Sequence, residues 1–230
     1  MKSQPEANSA ELRPSWHHAI LGESRHSGRL IINGAHLLSA IFRPQYFPVT
    51  GFVVLFWFTY LSLLPLPFKL MVLGLVLVGT VLMPKLGVNV WRKSRGWERH
   101  ELRQREKRLV PYFIYTLAYI FTYQALSGLH LPSYMGGILI AALVIQVACA
   151  VINLWWKIST HSAGAGGAIG ALCAFSFIFF FNPVWWLCLF IVIAGLVGSS
   201  RLVLRQHDLW QVIGGTIVGC LCSFFTLLLW

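Results

Sequence analysis

Long apolar runs dominate the sequence from residue 46 onward, and each is close to the roughly 20 residues that a helix needs to cross a bilayer. They lie at about residues 46–64, 68–87, 110–128, 133–155, 163–181, 184–200 and 210–229. We predict an all-α, polytopic transmembrane bundle of six to seven spans over residues 46–230. Residues 1–45 form a polar tail whose amphipathic stretch, residues 29–42, is too short to span and is expected to lie along the membrane interface.

Three polar segments interrupt these runs, at residues 88–109, 157–162 and 201–209. Two predicted spans separate each segment from the next. All three should therefore emerge on the same membrane face, each directly before a helix.

The charge balance is strongly basic, with 18 Lys and Arg against seven Asp and Glu and a net charge of +11. Only 11% of the residues are charged, far below the roughly 25% of soluble domains. The cations cluster beside the apolar runs, which favours a membrane surface or an anionic substrate as the partner rather than nucleic acid.

Acidic residues are too scarce for most carboxylate chemistry. Asp208 is the only aspartate, and the six glutamates all lie before residue 107. Two-metal and paired-carboxylate mechanisms need clustered acids. Any catalysis is therefore expected to use His, Arg, Lys, Ser and Thr, with no metal and no other cofactor.

The polar segments carry residues suited to anion binding. Ser159, Thr160 and His161 directly precede a span, where the first backbone N–H groups of a helix attract anions. Ser159 or Thr160 alternatively serves only as a helix N-cap. The small residues that follow, from 163 to 170, would let two helices pack closely.

The third segment contains Arg201 and His207, with Asp208 and Gln211 at capping-box spacing. A snorkelling role for Arg201 and a purely capping role for Asp208 are the simpler alternatives. Together with His161, however, the segment would form an electropositive pocket. Arginine matches phosphate oxygens, one neutral histidine can attack phosphorus, and a second can protonate the leaving oxygen.

Two of these stretches resemble motifs of the type 2 phosphatidic acid phosphatase and vanadium haloperoxidase superfamily. SRLVLRQH contains Ser200, Arg201 and His207 at the spacing of the third motif, Ser-Arg-x5-His-x3-Asp. ISTHSAGAGG is similar to the second motif, Pro-Ser-Gly-His, and retains Ser159 and His161. The resemblance extends over roughly residues 85–220.

The basic loop resembles the first motif, Lys-x6-Arg-Pro, as Arg105-x2-Arg108-x2-Pro111. The resemblance implies that His207 is the nucleophile and forms a phosphohistidine, and that His161 is the general acid. It also implies a phosphate cradle made from these residues: Arg201, Arg105, Arg108, Ser159, Thr160 and Lys157.

The sequence departs from the motifs at three positions. Ile158 and Thr160 replace the proline and glycine of the second motif, and Gln211 stands where the third motif has aspartate. A glutamine oxygen can accept the Nδ1 hydrogen of His207 and fix its tautomer, but it carries no charge to stabilise an imidazolium. A comparable swap in serine proteases costs about 10⁴ in rate.

The expected function is that of a metal-independent membrane lipid phosphatase, acting on a lipid phosphomonoester or a prenyl or lipid diphosphate that comes from the bilayer. Alternatives within the family are a lipid headgroup phosphotransferase and a weak or inactive member that binds anionic phospholipid. An anion transporter is a further alternative, although no ionisable residue lies in the middle of a predicted span to mark a pathway.

The charge distribution also predicts sidedness. On the predicted topology, 17 of the 18 Lys and Arg lie on the face of the motifs and only Lys69 lies on the other. Because cations beside spans favour the cytoplasm, we expect an integral protein of a bacterial inner membrane whose site faces the cytoplasm.

Overall fold

The structure, a computed structural model, describes residues 30–58, 60–96, 109–129 and 132–230. Within these ranges the chain is helical and contains no strand, which confirms the all-α prediction. The helices are α1 (residues 30–41), α2 (Phe47–Phe58), α3 (Leu66–Leu77), α4 (Met83–Ser94), α5 (Leu109–Ser127), α6 (Ser133–Ile152), α7 (Thr160–Phe179), α8 (Val184–Val203) and α9 (Leu209–Leu229).

Six helices in the described residues are long and apolar enough to cross a membrane. The first combines α3 and α4, which a π-helical turn at Val78–Leu82 joins into one helix, Leu66–Ser94. The others correspond to α5, α6, α7, α8 and α9. The prediction of six to seven spans is thus met at its lower bound.

The seventh predicted span, residues 46–64, is a broken segment rather than one long helix. Its helix α2 has 12 residues and is about 18 Å long, shorter than the roughly 30 Å hydrocarbon core. The 3₁₀ turns Pro44–Tyr46 and Tyr60–Leu63 flank it. Pro48 explains the first break, because its ring has no N–H and clashes with the carbonyl four residues earlier in a continuous helix.

Helices α7 and α9 make the closest packing in the molecule, through glycines on both. A Cβ added to Gly166 would lie 2.1 Å from the Thr216 carbonyl oxygen, and one added to Gly219 would lie 1.9 Å from the Ala163 carbonyl oxygen. The predicted close approach of the small residues is therefore observed. Since the two helices run parallel, their N-terminal ends lie side by side at one end of the bundle.

A large apolar cluster fills the rest of the interior. It includes the fully buried Phe52 and Phe56 of α2, together with Leu126, Met135 and Leu139 from α5 and α6. The segment that replaces the seventh span is thus part of the core. The polar site lies beyond this cluster, at the N-terminal ends of α7 and α9.

Candidate active site

A cavity of about 840 Å³ opens at the N-terminal ends of α7 and α9 and continues into the bundle. Its polar end is lined by Ser39, Arg43, His161, Arg201, Gln206 and His207. These residues come from α1 and the turn after it, from α7, and from the end of α8 with the turn that follows. The second and third polar segments therefore lie together at one end of the bundle, in agreement with the prediction that they share a membrane face.

The turn between α8 and α9 places Arg201 and His207 at this end, and each side chain is only 7% exposed. Arg205 takes a left-handed conformation, with φ of 49°, and lets the chain reverse within a few residues. Arg201 donates from Nη1 to Ser39 Oγ and from Nη2 to Gln206 Oε1. Two oxygens thus hold the guanidinium at the cavity wall, where it can exchange them for phosphate oxygens.

Gln211 contacts both His207 and Asp208. Its Oε1 lies 2.9 Å from His207 Nδ1 and accepts from the Asp208 backbone N–H at 3.4 Å. Its Nε2 donates to Asp208 Oδ2 at 3.2 Å. Because an amide oxygen can only accept, this arrangement places the His207 hydrogen on Nδ1 and the lone pair on Nε2.

The capping alternative for Asp208 is also observed. Asp208 is the N-cap of α9 and forms a reciprocal capping box with Gln211. The cap and the contact with His207 use the same Gln211 oxygen, so the two interpretations of Gln211 are not exclusive.

Ser159 is the N-cap of α7 and is fully buried. Its Oγ accepts from the Ser162 backbone N–H at 3.4 Å and lies 2.9 Å from Ser162 Oγ. Its own N–H donates to the Gln211 carbonyl at 3.3 Å, which ties the second polar segment to the third. The hydroxyl of Ser159 is therefore engaged within the helix cap, while Thr160 lines the cavity.

His161 is the second residue of α7 and lies in its first turn. Its ring is hydrogen-bonded to the Ser39 backbone, and Arg201, His207 and Arg43 are near enough to act on it electrostatically. The two histidines predicted as acid and nucleophile therefore line one cavity, with cations around them.

Lys157 lies at the junction of the second and third segments. Its Nζ donates to the Gln206 backbone carbonyl at 2.8 Å, and it is not among the residues that line the cavity. This contact fixes the turn that presents His207. A direct contact between Lys157 and phosphate stays a prediction.

Arg105 and Arg108, predicted from the first polar segment, lie outside the described residues. The beginning of α5 is described, and its Pro111 and Tyr112 line the cavity. The loop before α5 thus leads to the site, while the roles of the two arginines stay predictions.

The structure adds Arg43, Ser39 and His36, which the sequence interpretation did not assign to the site. All three line the cavity. A signal was present, because His36-x6-Arg43-Pro44 has the spacing of the Lys-x6-Arg-Pro motif with histidine in place of lysine. The basic loop at residues 88–109 carries more charge, but Arg105-x2-Arg108-x2-Pro111 departs from the motif's spacing.

The cavity continues from the polar end along an apolar face of α7. One side of this helix lines it through Gly164, Gly167, Ala168, Ala171, Leu172 and Phe175. The rise from His161 to Phe175 is about 21 Å at 1.5 Å per residue, more than the roughly 15 Å depth of one leaflet's hydrocarbon. Residues of α6, among them Ile138 and Ala141, line the opposite side of this groove.

The described residues thus form a helical bundle with six helices long and apolar enough to cross a membrane, and histidine and arginine side chains line a cavity at one end of it. Residues 154–230, about a third of the chain, match the family model of the PAP2 superfamily, which supports membership of that superfamily. The match includes both motif stretches, residues 159–161 and 200–207, and implies phosphatase-type activity. No curated protein and no solved structure matches the chain.

Proposed function

We propose that the protein is a metal-independent lipid phosphatase that hydrolyses a phosphomonoester or diphosphate of a membrane lipid through a phosphohistidine on His207. The observation that carries this proposal is one cavity with two chemically different ends. His161, His207 and Arg201 line the polar end, and the other end is an apolar groove within the bundle.

The proposed reaction has two steps. His207 Nε2 attacks phosphorus while the bond to the lipid oxygen breaks and His161 gives that oxygen a proton. Water then attacks the phosphohistidine with His161 as the base, which releases phosphate and restores His207. Arg201 and Arg43 bind the phosphoryl oxygens, whose negative charge they stabilise in both transition states.

The groove along α7 supports a lipid as substrate. A hydrocarbon chain that extends from a phosphate at His207 would contact the Ala168, Ala171 and Phe175 side of the helix. Suitable substrates are phosphatidic acid, phosphatidylglycerol phosphate, a prenyl diphosphate or a phosphorylated glycolipid, which share an anionic phosphate and a long chain.

Phosphate release from a panel of these lipids by the purified protein tests the proposal. We expect activity that survives a strong chelator, is inhibited by vanadate as a mimic of five-coordinate phosphorus, and is lost in His207→Ala. The control is Arg205→Ala, which removes a long polar side chain from the same turn and is not among the cavity-lining residues. Loss of activity with chelator and its recovery with a divalent cation would contradict the mechanism.

The role of His161 is tested by changing the leaving group. His161→Ala should slow alkyl phosphates much more than aryl phosphates, because a good leaving group needs little protonation. An equal loss on both substrates would assign His161 to binding or structure instead.

Gln211 stands in place of the aspartate of the third motif. This substitution favours a second candidate function, a weak or inactive family member that binds anionic phospholipid. If Gln211 orients His207, Gln211→Asp should retain or raise the rate and Gln211→Leu should lower it. Equal rates in all three proteins would leave Gln211 with its capping role alone. Lipid phosphate binding without turnover in any of them would support the second candidate.

We further propose that the site faces the cytoplasm of an inner membrane, because 17 of the 18 Lys and Arg fall on the motif face of the topology predicted from the sequence. Single cysteines at Ser94 and Ser133, in a background without the five native cysteines, test this with an impermeant thiol reagent on intact cells. We expect labelling at position 133 and not at 94. The reverse pattern would place the site outside.

A further inference from the structure

Asp208 contacts the residue that contacts the proposed nucleophile. The described geometry forms a chain in which the Asp208 carboxylate accepts from Gln211 Nε2 at 3.2 Å and Gln211 Oε1 accepts from His207 Nδ1 at 2.9 Å. We infer that Asp208 is a positioning residue that acts on His207 through the amide of Gln211. This inference rests on the proposed function.

The physical reason lies in the amide group. When its NH₂ donates to a carboxylate, electron density shifts toward Oε1, and the oxygen becomes a stronger acceptor for the Nδ1 hydrogen. Chained hydrogen bonds strengthen one another in this way by about 10–30% per bond. When His207 gains positive charge on attacking phosphorus, the nearby Asp208 carboxylate offsets part of it. Asp208, the only aspartate of the chain, thus acts through Gln211 and provides the negative charge that the amide lacks.

A helix cap alone does not account for this geometry. A capping box needs the Asp208 side chain to accept from the N3 backbone and the Gln211 side chain to accept from the Asp208 N–H. The bond from Gln211 Nε2 to Asp208 Oδ2 is an addition to that box. The bond to His207, at 2.9 Å, is also shorter than the capping bond at 3.4 Å.

Variants that keep the helix cap but remove the charge of Asp208 separate its capping role from its positioning role. The hydrogen-bonded chain from Asp208 through Gln211 to His207 is called the relay below. Asn and Ser are N-cap residues as good as Asp, so Asp208→Asn and Asp208→Ser should leave the melting temperature close to that of the wild type. We expect both to lower kcat about fivefold with KM unchanged, because an exposed charge is worth up to about 1 kcal/mol. Wild-type kcat in both variants would overturn the inference.

The dependence on Gln211 is tested by combining substitutions. In a Gln211→Leu background, Asp208→Asn should cause no further loss of kcat, because the relay is already broken. The same fivefold loss in both backgrounds would show that Asp208 acts independently of Gln211, and would also overturn the inference.

A readout without turnover keeps this inference separate from the proposed function. In protein with ¹⁵N-labelled histidine, the Nδ1 hydrogen of His207 should move upfield in Asp208→Asn and further in Gln211→Leu, as its hydrogen bond weakens. His207→Gln identifies the resonance. An unchanged resonance in Asp208→Asn would overturn the relay even if the phosphatase is active. A shifted resonance in a protein that releases no phosphate would support the relay while the proposed function fails.

Discussion

The two sides of the cavity are held together in different ways. On the side of α7 and α9, backbone meets backbone: the Ser159 N–H donates to the Gln211 carbonyl, and Gly219 lies directly against Ala163. On the side of α1, a side chain makes the contact: the Ser39 hydroxyl accepts a hydrogen bond from the Arg201 guanidinium. The backbone contacts leave little freedom on the first side, whereas the Ser39 hydroxyl on the second side can rotate toward a different partner.

The first way to sharpen this comparison is to remove the cation of the adaptable side. Arg43→Ala should lower kcat/KM about 10- to 100-fold, because a charge-assisted contact to phosphate is lost. The matched control is Arg205→Ala, since Arg205 lies in the turn beside the site and is not among the cavity-lining residues. Phosphate release from a lipid phosphate measures both. Equal effects of the two substitutions would assign Arg43 to general surface charge.

The second way is to disturb the rigid side. Gly166→Ala places a Cβ 2.1 Å from a backbone oxygen of α9, which a side-chain rotation cannot relieve. We expect a loss of about 1–3 kcal/mol in unfolding free energy, read as a lower melting temperature in detergent. Gly195→Ala on α8 is the control, because nothing lies within 4 Å of its added Cβ. Similar melting temperatures of the two variants would show that the close packing of α7 on α9 does not determine the stability of the protein.

The third way is to shorten the apolar groove. Ala171→Phe should lower kcat/KM for hexadecyl phosphate about tenfold and leave butyl phosphate nearly unchanged, because the larger residue costs about 1–3 kcal/mol where a chain must fit. Both substrates are compared at a fixed mole fraction in detergent, so that partitioning does not differ. Ala194→Phe on α8, outside the cavity lining, serves as the control. An equal loss on both substrates would show that the substitution damages the polar end instead.

Much of the helical framework follows from local sequence. The long spans, the N-cap at Ser159 and the capping box of Asp208 with Gln211 are all set by residues close together in the chain. Arg201 and His207 are likewise only six residues apart in the chain. These features could be predicted because helix length, caps and short motifs depend on neighbouring residues.

Features that depend on distant contacts could not be predicted in the same way. Arg201 meets Ser39 across 162 positions of the chain, and no local pattern specifies this pairing. The end of α2 at Phe58 lies in a largely apolar stretch, so the sequence pattern does not reveal it. The contact of the Lys157 amine with the carbonyl of Gln206, 49 residues away, is likewise specified by no local pattern.

The most direct test of the central claim is to trap the covalent intermediate. Purified protein is mixed with a labelled lipid phosphate, quenched in alkali within one turnover and digested for mass spectrometry. The account predicts a phosphate on His207, stable in base and labile in acid, that is absent in His207→Ala. With an aryl phosphate as donor it should accumulate in His161→Ala, which lacks the base for its hydrolysis. Turnover with no phosphorylated histidine, or with the phosphate on another residue while His207→Ala remains active, would contradict it.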